Sequence, residues 1–206
     1  MIKKLLIYLL AVVIGASAAA HIIMERPDQT AAFGVREGNT YTNETLGIGC
    51  TLEGWTFHEG AVIGAFNTLF RQALQSALRE TDALSHIGDI RTILLGESRN
   101  QLQVVAILLA DVDQEPNLEI SDAMIESLKS TFENQEGVKA VSVGRTWAQM
   151  GQEQWNGEQF SYNLNGVKYY GKMFPVYRPG KLYVVLVGSY VTDATDRVLK
   201  RITPLA

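Results

Sequence analysis

A single cysteine, Cys50, stands in a chain of 206 residues. No internal disulfide can form, so the core alone has to hold the fold. The three histidines, His21, His58 and His86, are too scattered for zinc, with no HExxH and no paired-ligand spacing. Neither a Walker A loop nor a GxGxxG occurs, which removes the recurrent phosphate cradles. Basic charge is scarce as well: 18 Lys and Arg face 22 Asp and Glu, a net charge of −4. Beyond the N-terminus the longest basic run is Lys200-Arg201. Nucleic-acid binding draws on clustered cations that neutralise phosphates, so this class is excluded. Charged residues make up only 19% and apolar residues 47%. That composition excludes a disordered polyelectrolyte and suffices to fill the core of one domain.

The first twenty residues have the form of an export leader. Lys3 and Lys4 supply the positive end, Leu5 to Ile14 is an unbroken apolar run, and "GASAAA" (15–20) offers small residues to a peptidase after Ala18 or Ala20. Cleavage would leave 16 basic residues against 22 acidic ones, a charge of −6. The alternative is a retained anchor, because residues 5–24 carry no charge and are long enough to span a bilayer. Both readings put the body outside the cytoplasm, secreted or tethered. No cysteine follows the apolar run, so lipidation there is not expected. Residues 21–38 show no sustained period and contain Pro27, Gly34 and Gly38, which reads as a flexible arm.

Residues 39–206 read as one domain. Leu46, Ile48, Cys50 and Leu52 alternate with Gly47, Gly49, Thr51 and Glu53, the period of a strand with one buried face. Tyr41 to Thr45 is its candidate partner strand, and Gly54 turns the chain into Trp55-Thr56-Phe57. Val62, Phe66, Leu69, Phe70, Ala73, Ala77 and Leu78 then predict an amphipathic helix over 59–79. Ile90 to Leu95 and Leu102 to Leu109 are strands joined by "GESRN", and "LQVVAILLA" is apolar on both faces. Ser121 caps a helix that runs to Gly137. Strands follow over 138–147, 160–164, 167–177 and 182–190, with Asn165-Gly166 and Pro179-Gly180 as turns. A last helix starts near Thr192 or Asp193 and buries Val198, Leu199 and Ile202. Strands apolar on both faces need cover on both faces. The expected fold class is therefore α+β: an α/β/α sandwich with a mainly antiparallel central sheet flanked by helices.

Three stretches carry a family likeness. "NTYTNETLGIGCTLEGWTF" (39–57), "IRTILLGESRNQLQVVAILLADV" (90–112) and "GVKYYGKMFPVYRPGKLYVVLVGSYVTDATDRVLKRI" (166–202), with a long helix between the first two, resemble the PsbP-like family. That family includes the extrinsic subunit P of photosystem II and exported bacterial proteins and lipoproteins of unassigned function, which this chain resembles most. The resemblance implies a sheet sandwiched by helices and an accessory or binding role. It brings no catalytic residue set, and no photosynthetic partner is implied.

Four constellations are candidates for chemistry. Cys50 with His58 as base would make a thiol nucleophile, but alternation aims Cys50 with Leu46 and Ile48 into the core, where thiols are inert. Ser98 in "GESRN" sits as in a nucleophile elbow, yet a strand follows instead of the required helix, so a hairpin turn is expected. "DVDQEPNLEISD" (111–122) spaces oxygens like a calcium loop, with Asp111, Asp113 and Glu115 as candidate ligands. Pro116 replaces the turn glycine and Asp122 the bidentate glutamate, which excludes a regular EF-hand. Aromatic residues are densest late in the chain. Trp147, Trp155, Tyr162, Tyr169 and Tyr170 are the candidates for lining a carbohydrate or peptide groove; strand rings otherwise serve as core or cross-strand pairs. No cofactor is expected. The sequence points to a non-catalytic accessory or binding domain at the envelope of a bacterial cell. Its partner would be an envelope protein or a small extracellular ligand, and membrane contact would come only through an uncleaved N-terminal segment. The alternative is an extracytoplasmic hydrolase with a site assembled from scattered residues.

Overall fold

The structure is a computed structural model that describes residues 29–64, 67, 90–100, 102–113, 115 and 118–205. The leader, the first part of the arm and most of the expected helix over 59–79 lie outside the described residues; of that helix, residues 61–64 are seen as helical.

The described chain runs α1 (Gln29–Phe33), β1 (Val35–Glu37), β2 (Thr40–Asn43), β3 (Ile48–Thr51), β4 (Trp55–Phe57), β5 (Arg91–Ser98) and β6 (Gln103–Asp111). It continues with α2 (Asp122–Glu133), β7 (Val138–Met150), β8 (Glu153–Leu164), β9 (Val167–Arg178), β10 (Lys181–Tyr190), α3 (Thr195–Leu199) and β11 (Ile202–Pro204). Two antiparallel sheets form: four strands in the order β1-β2-β3-β11 and seven in the order β4-β5-β6-β10-β9-β8-β7.

The centre of the large sheet follows from side chains. β6 and β10 are apolar on both faces, and their register pairs Leu186 with Ala106 and Val185 with Ile107. Every residue of β10 is buried. One face holds Val104, Ala106, Leu108, Val184, Leu186, Phe160, Tyr162 and Met173, and α2 covers it with Leu128 and Phe132. The other face holds Val105, Ile107, Leu109, Val185, Val187 and Phe174, packed against Tyr41, Ile48, Cys50 and Ile202 of the small sheet.

The α/β/α sandwich is thus corrected. Among the described residues the protein is mainly β, with sheet packed on sheet where a second helical layer was expected. The cover is made from short pieces. β2 and β3 pair as alternation predicts, and β11 joins β3 through Ile202 opposite Cys50. Residues 198–204 have helical spacing, but Pro204 has no amide hydrogen to continue a helix. An edge strand tolerates it.

Residues 29–37, inside the stretch read as an arm, dock onto this sandwich. The buried Asn43 donates from Nδ2 to the Ala32 carbonyl and the Tyr41 hydroxyl, both at 3.0 Å, and its Oδ1 accepts the Leu46 amide at 2.8 Å. The Tyr183 hydroxyl donates to the same Ala32 carbonyl at 3.1 Å, and Tyr41 donates to the Phe33 carbonyl at 2.9 Å. Carbonyls at the end of α1, which would be orphaned on burial, are satisfied in this way.

Turn chemistry sets the hairpins. Asn165 and Gly166 both take positive φ, 52° and 83°, as the predicted two-residue turn demands. Gly171 lies opposite Phe160, and a Cβ there would sit 2.1 Å from the ring, so the aromatic ring occupies the space of the missing side chain.

Cys50 is 1% exposed, and burial pushes its thiol up to about 12. At pH 8 a disulfide-exchange reagent is therefore expected to label Cys50 only as fast as the protein unfolds. Native labelling at the rate seen in denaturant would contradict this placement.

Candidate functional site

The β7–β8 hairpin is longer than its cover. On the face shared with α2, register pairs Val143 with Phe160, Arg145 with Glu158 and Trp147 with Asn156. The first pair belongs to the core under α2. The second mixes charge with burial, and the third is open. Residues 118–120, which lead into α2, lie alongside. Leu118, Ile120, Arg145, Trp147 and Asn156 are among the residues that line an open cleft of about 520 Å³.

Arg145 ties the two sides of the cleft. Its Nε donates to the Ile120 carbonyl at 2.9 Å and its terminal nitrogen to Asp122 Oδ1 at 2.7 Å. Asp122 occupies the first turn of α2, where the helix dipole favours an acid. The pair is well exposed, 56% for Arg145 and 89% for Asp122, so water weakens it.

Trp147 is 62% exposed, the most exposed large apolar side chain among the described residues. Two strand positions away from Arg145, its indole stands over the cleft instead of in the core. Large exposed rings on a strand are candidates for contact with something else.

Glu158 is the reverse case: a carboxyl only 2% exposed, with Oε1 lacking any hydrogen-bond partner. Burial alone pushes it up to about 7. It sits at the boundary where the apolar face under α2 gives way to the cleft, between Arg145 on β7 and Met173 on β9.

The other candidates are placed elsewhere. Trp155 faces the opposite core, 4% exposed, with Nε1 donating to Glu153 at 3.2 Å. Tyr162 and Tyr169 stack in the α2-side core with centroids 5.0 Å apart. Tyr170 carries the Lys168 ammonium 5.1 Å above its ring. Asp111 is paired with the Lys181 ammonium, and Asp113 and Glu115 are exposed. Among the described residues no three His, Cys, Asp or Glu side chains gather as a metal-binding group. His58 lies against Glu97 at 3.2 Å, not against Cys50. The Ser98 hydroxyl donates to Asn100 at 2.7 Å and accepts the Gln103 amide at 3.0 Å, which braces the β5–β6 turn.

Of the aromatic candidates, Trp147 lines the cleft. Arg145, Asn156 and Glu158 were not legible as its neighbours, because the β7–β8 register brings them together. One signal was present: Glu158 precedes Phe160 and Tyr162 at steps of two, which places it on their buried face.

No family model matches the chain and no curated protein matches it, so the resemblance to the PsbP-like family finds no support. Among solved structures, the chain is similar to the crystal structure of LpqN involved in cell envelope biogenesis of Mycobacterium tuberculosis. The TM-score is 0.34 at 15% identity, over 57% of this chain and 79% of that chain. A likeness this remote carries neither an activity nor a fold across.

Glu158 gives the fold a pH dependence of defined sign. Its folded value near 7 lies above the ordinary 4.5, so the native state holds the proton more tightly than the unfolded chain. Stability from this group is complete below pH 4.5 and is lost as pH rises to about 7. Glu158→Gln is expected to flatten that slope and to raise stability at pH 8 by up to roughly 3 kcal/mol. Urea melts of both proteins at pH 4.5 and 8 check it; parallel profiles would refute it.

Proposed function

We propose that the chain is an exported, non-catalytic binding domain of the cell envelope, and that its ligand is held in the cleft beside the β7–β8 hairpin. The carrying observation is Trp147, an indole left 62% exposed beside a guanidinium and an amide. The leader pattern of residues 1–20 supports export. A sugar ring suits this site. Its C–H face stacks on an indole, while its hydroxyls meet donors and acceptors such as Asn156 and Arg145.

A second reading, an extracytoplasmic hydrolase, draws on Glu158. A carboxyl raised to about 7 is in the range of a general acid. Its burial, its place outside the cleft lining and the open shape of the site favour binding over turnover.

Titration of the 15N-labelled protein with chito- and malto-oligosaccharides tests the proposal. The Trp147 indole signal is expected to shift, and Trp147→Ala to weaken binding about 10- to 100-fold at unchanged melting temperature. Unaltered affinity in Trp147→Ala would sink the reading. Hydrolysis of those sugars by the wild type but not by Glu158→Gln would replace it with the second.

A further inference from the structure

The strands place a cation and a buried acid directly opposite each other, yet they are not joined. Arg145 and Glu158 are register partners on the same face of the β7–β8 hairpin, a relation that sets their Cβ atoms within about 5.5 Å. The guanidinium nevertheless reaches outward, to the Ile120 carbonyl and to Asp122, and leaves Glu158 Oε1 without a partner. We infer that Arg145 is a two-position latch on the cleft: held by Asp122 and Ile120 it closes the rim, and turned onto Glu158 it lets the rim go.

The two positions differ in what they satisfy. The outer one joins an exposed acid, for which water is a ready substitute. The inner one answers a carboxyl that is only 2% exposed and whose Oε1 is shut off from water. While Glu158 holds its proton, the inner position offers Arg145 little and the outer one wins. Once the proton leaves, an unpaired charge stands buried beside a long, flexible cation, and the balance turns inward. Among the described residues, the exposed acid Glu119 lines the same cleft as Arg145. Met173 faces Glu158 from β9, and α2 turns Leu128 and Phe132 toward this core. The charges of α2 other than Asp122 are Glu126 and Glu133, both exposed, and the half-buried Lys129. Burial alone raises the Glu158 carboxyl, with no neighbouring charge contributing.

The consequence is regulation of the same site. The guanidinium bonds the hairpin to Ile120 and Asp122, so its departure loosens the entry to α2 and widens the cleft beneath Trp147. Binding at the cleft would then depend on pH and, reciprocally, a ligand that needs the closed rim would hold the Glu158 proton. This inference rests on the proposed role of the cleft only for its purpose; the latch itself is read without any ligand.

The test is a pH series from 4 to 9 on the 15N-labelled full chain, following the Arg145 Nε–H and Trp147 indole signals. Both are expected to move together with one midpoint between 4.5 and about 7. Glu158→Gln should abolish the movement and hold Arg145 in its outer position. Asp122→Asn, an exposed change that leaves the core untouched, should lower the midpoint by freeing the guanidinium for Glu158. Arg145 and Trp147 signals that stay flat through the titration would overturn the latch. So would the same movement persisting in Glu158→Gln, or a midpoint unmoved in Asp122→Asn.

Discussion

Everything in this fold answers to two strands that cannot face water on either side. β6 and β10 lie side by side at the centre of the large sheet, and both faces of each carry aliphatic or aromatic side chains. Burying one such side chain stabilises the fold by about 1.5–3 kcal/mol, so leaving either face open would cost much of a domain's net stability. Two covers result. α2 closes one face with Leu128 and Phe132. The other is closed by a sheet assembled from both ends of the described chain, residues 35–51 and 202–204. Asn43 and Tyr183 then both donate to the Ala32 carbonyl that this closure buries.

The cleft exists because the sheet outgrows its cover. Moving out from β10 to β9, β8 and β7, the face under α2 passes from Leu186 through Met173 to the Glu158–Arg145 pair. Beyond α2 the hairpin runs on to Trp147 and Asn156. Glu158 sits at the last buried step and Arg145 at the first exposed one. The energies separate clearly. An exposed pair such as Arg145 with Asp122 contributes about 1 kcal/mol or less, while an ionised carboxylate without a partner in the core costs several times that. The buried group, not the visible ion pair, therefore governs how this corner of the molecule responds to its surroundings.

The sequence made the large sheet legible where its signals are local. Two-face apolar runs mark β6 and β10, alternation puts Cys50 in the core, and Asn165-Gly166 forms the turn it predicts. Long-range closure was not legible. The strand of Ile202 to Pro204 carries helical spacing in isolation and becomes a strand only because β3 waits beside it. β7 and β8 extend well past their apolar segments because pairing across the Gly151 turn continues through polar residues. A helical second layer was therefore expected where strands do the covering, and the family likeness followed the same element order. At the site, Trp147 was named by the sequence only as one of five rings, three of which are buried in the core. Its partners Arg145 and Glu158 are thirteen residues apart in sequence and become neighbours only through register.

Hydrogen exchange reads the two-sided cover most directly, since amides under both covers open only when the whole domain does. The account predicts that β3 and β11 exchange on the slow timescale of β6 and β10, while the outer edge of β7 exchanges faster. Rapid exchange throughout β2, β3 and β11, with β6 and β10 still protected, would show that the small sheet does not close the core and would contradict the account.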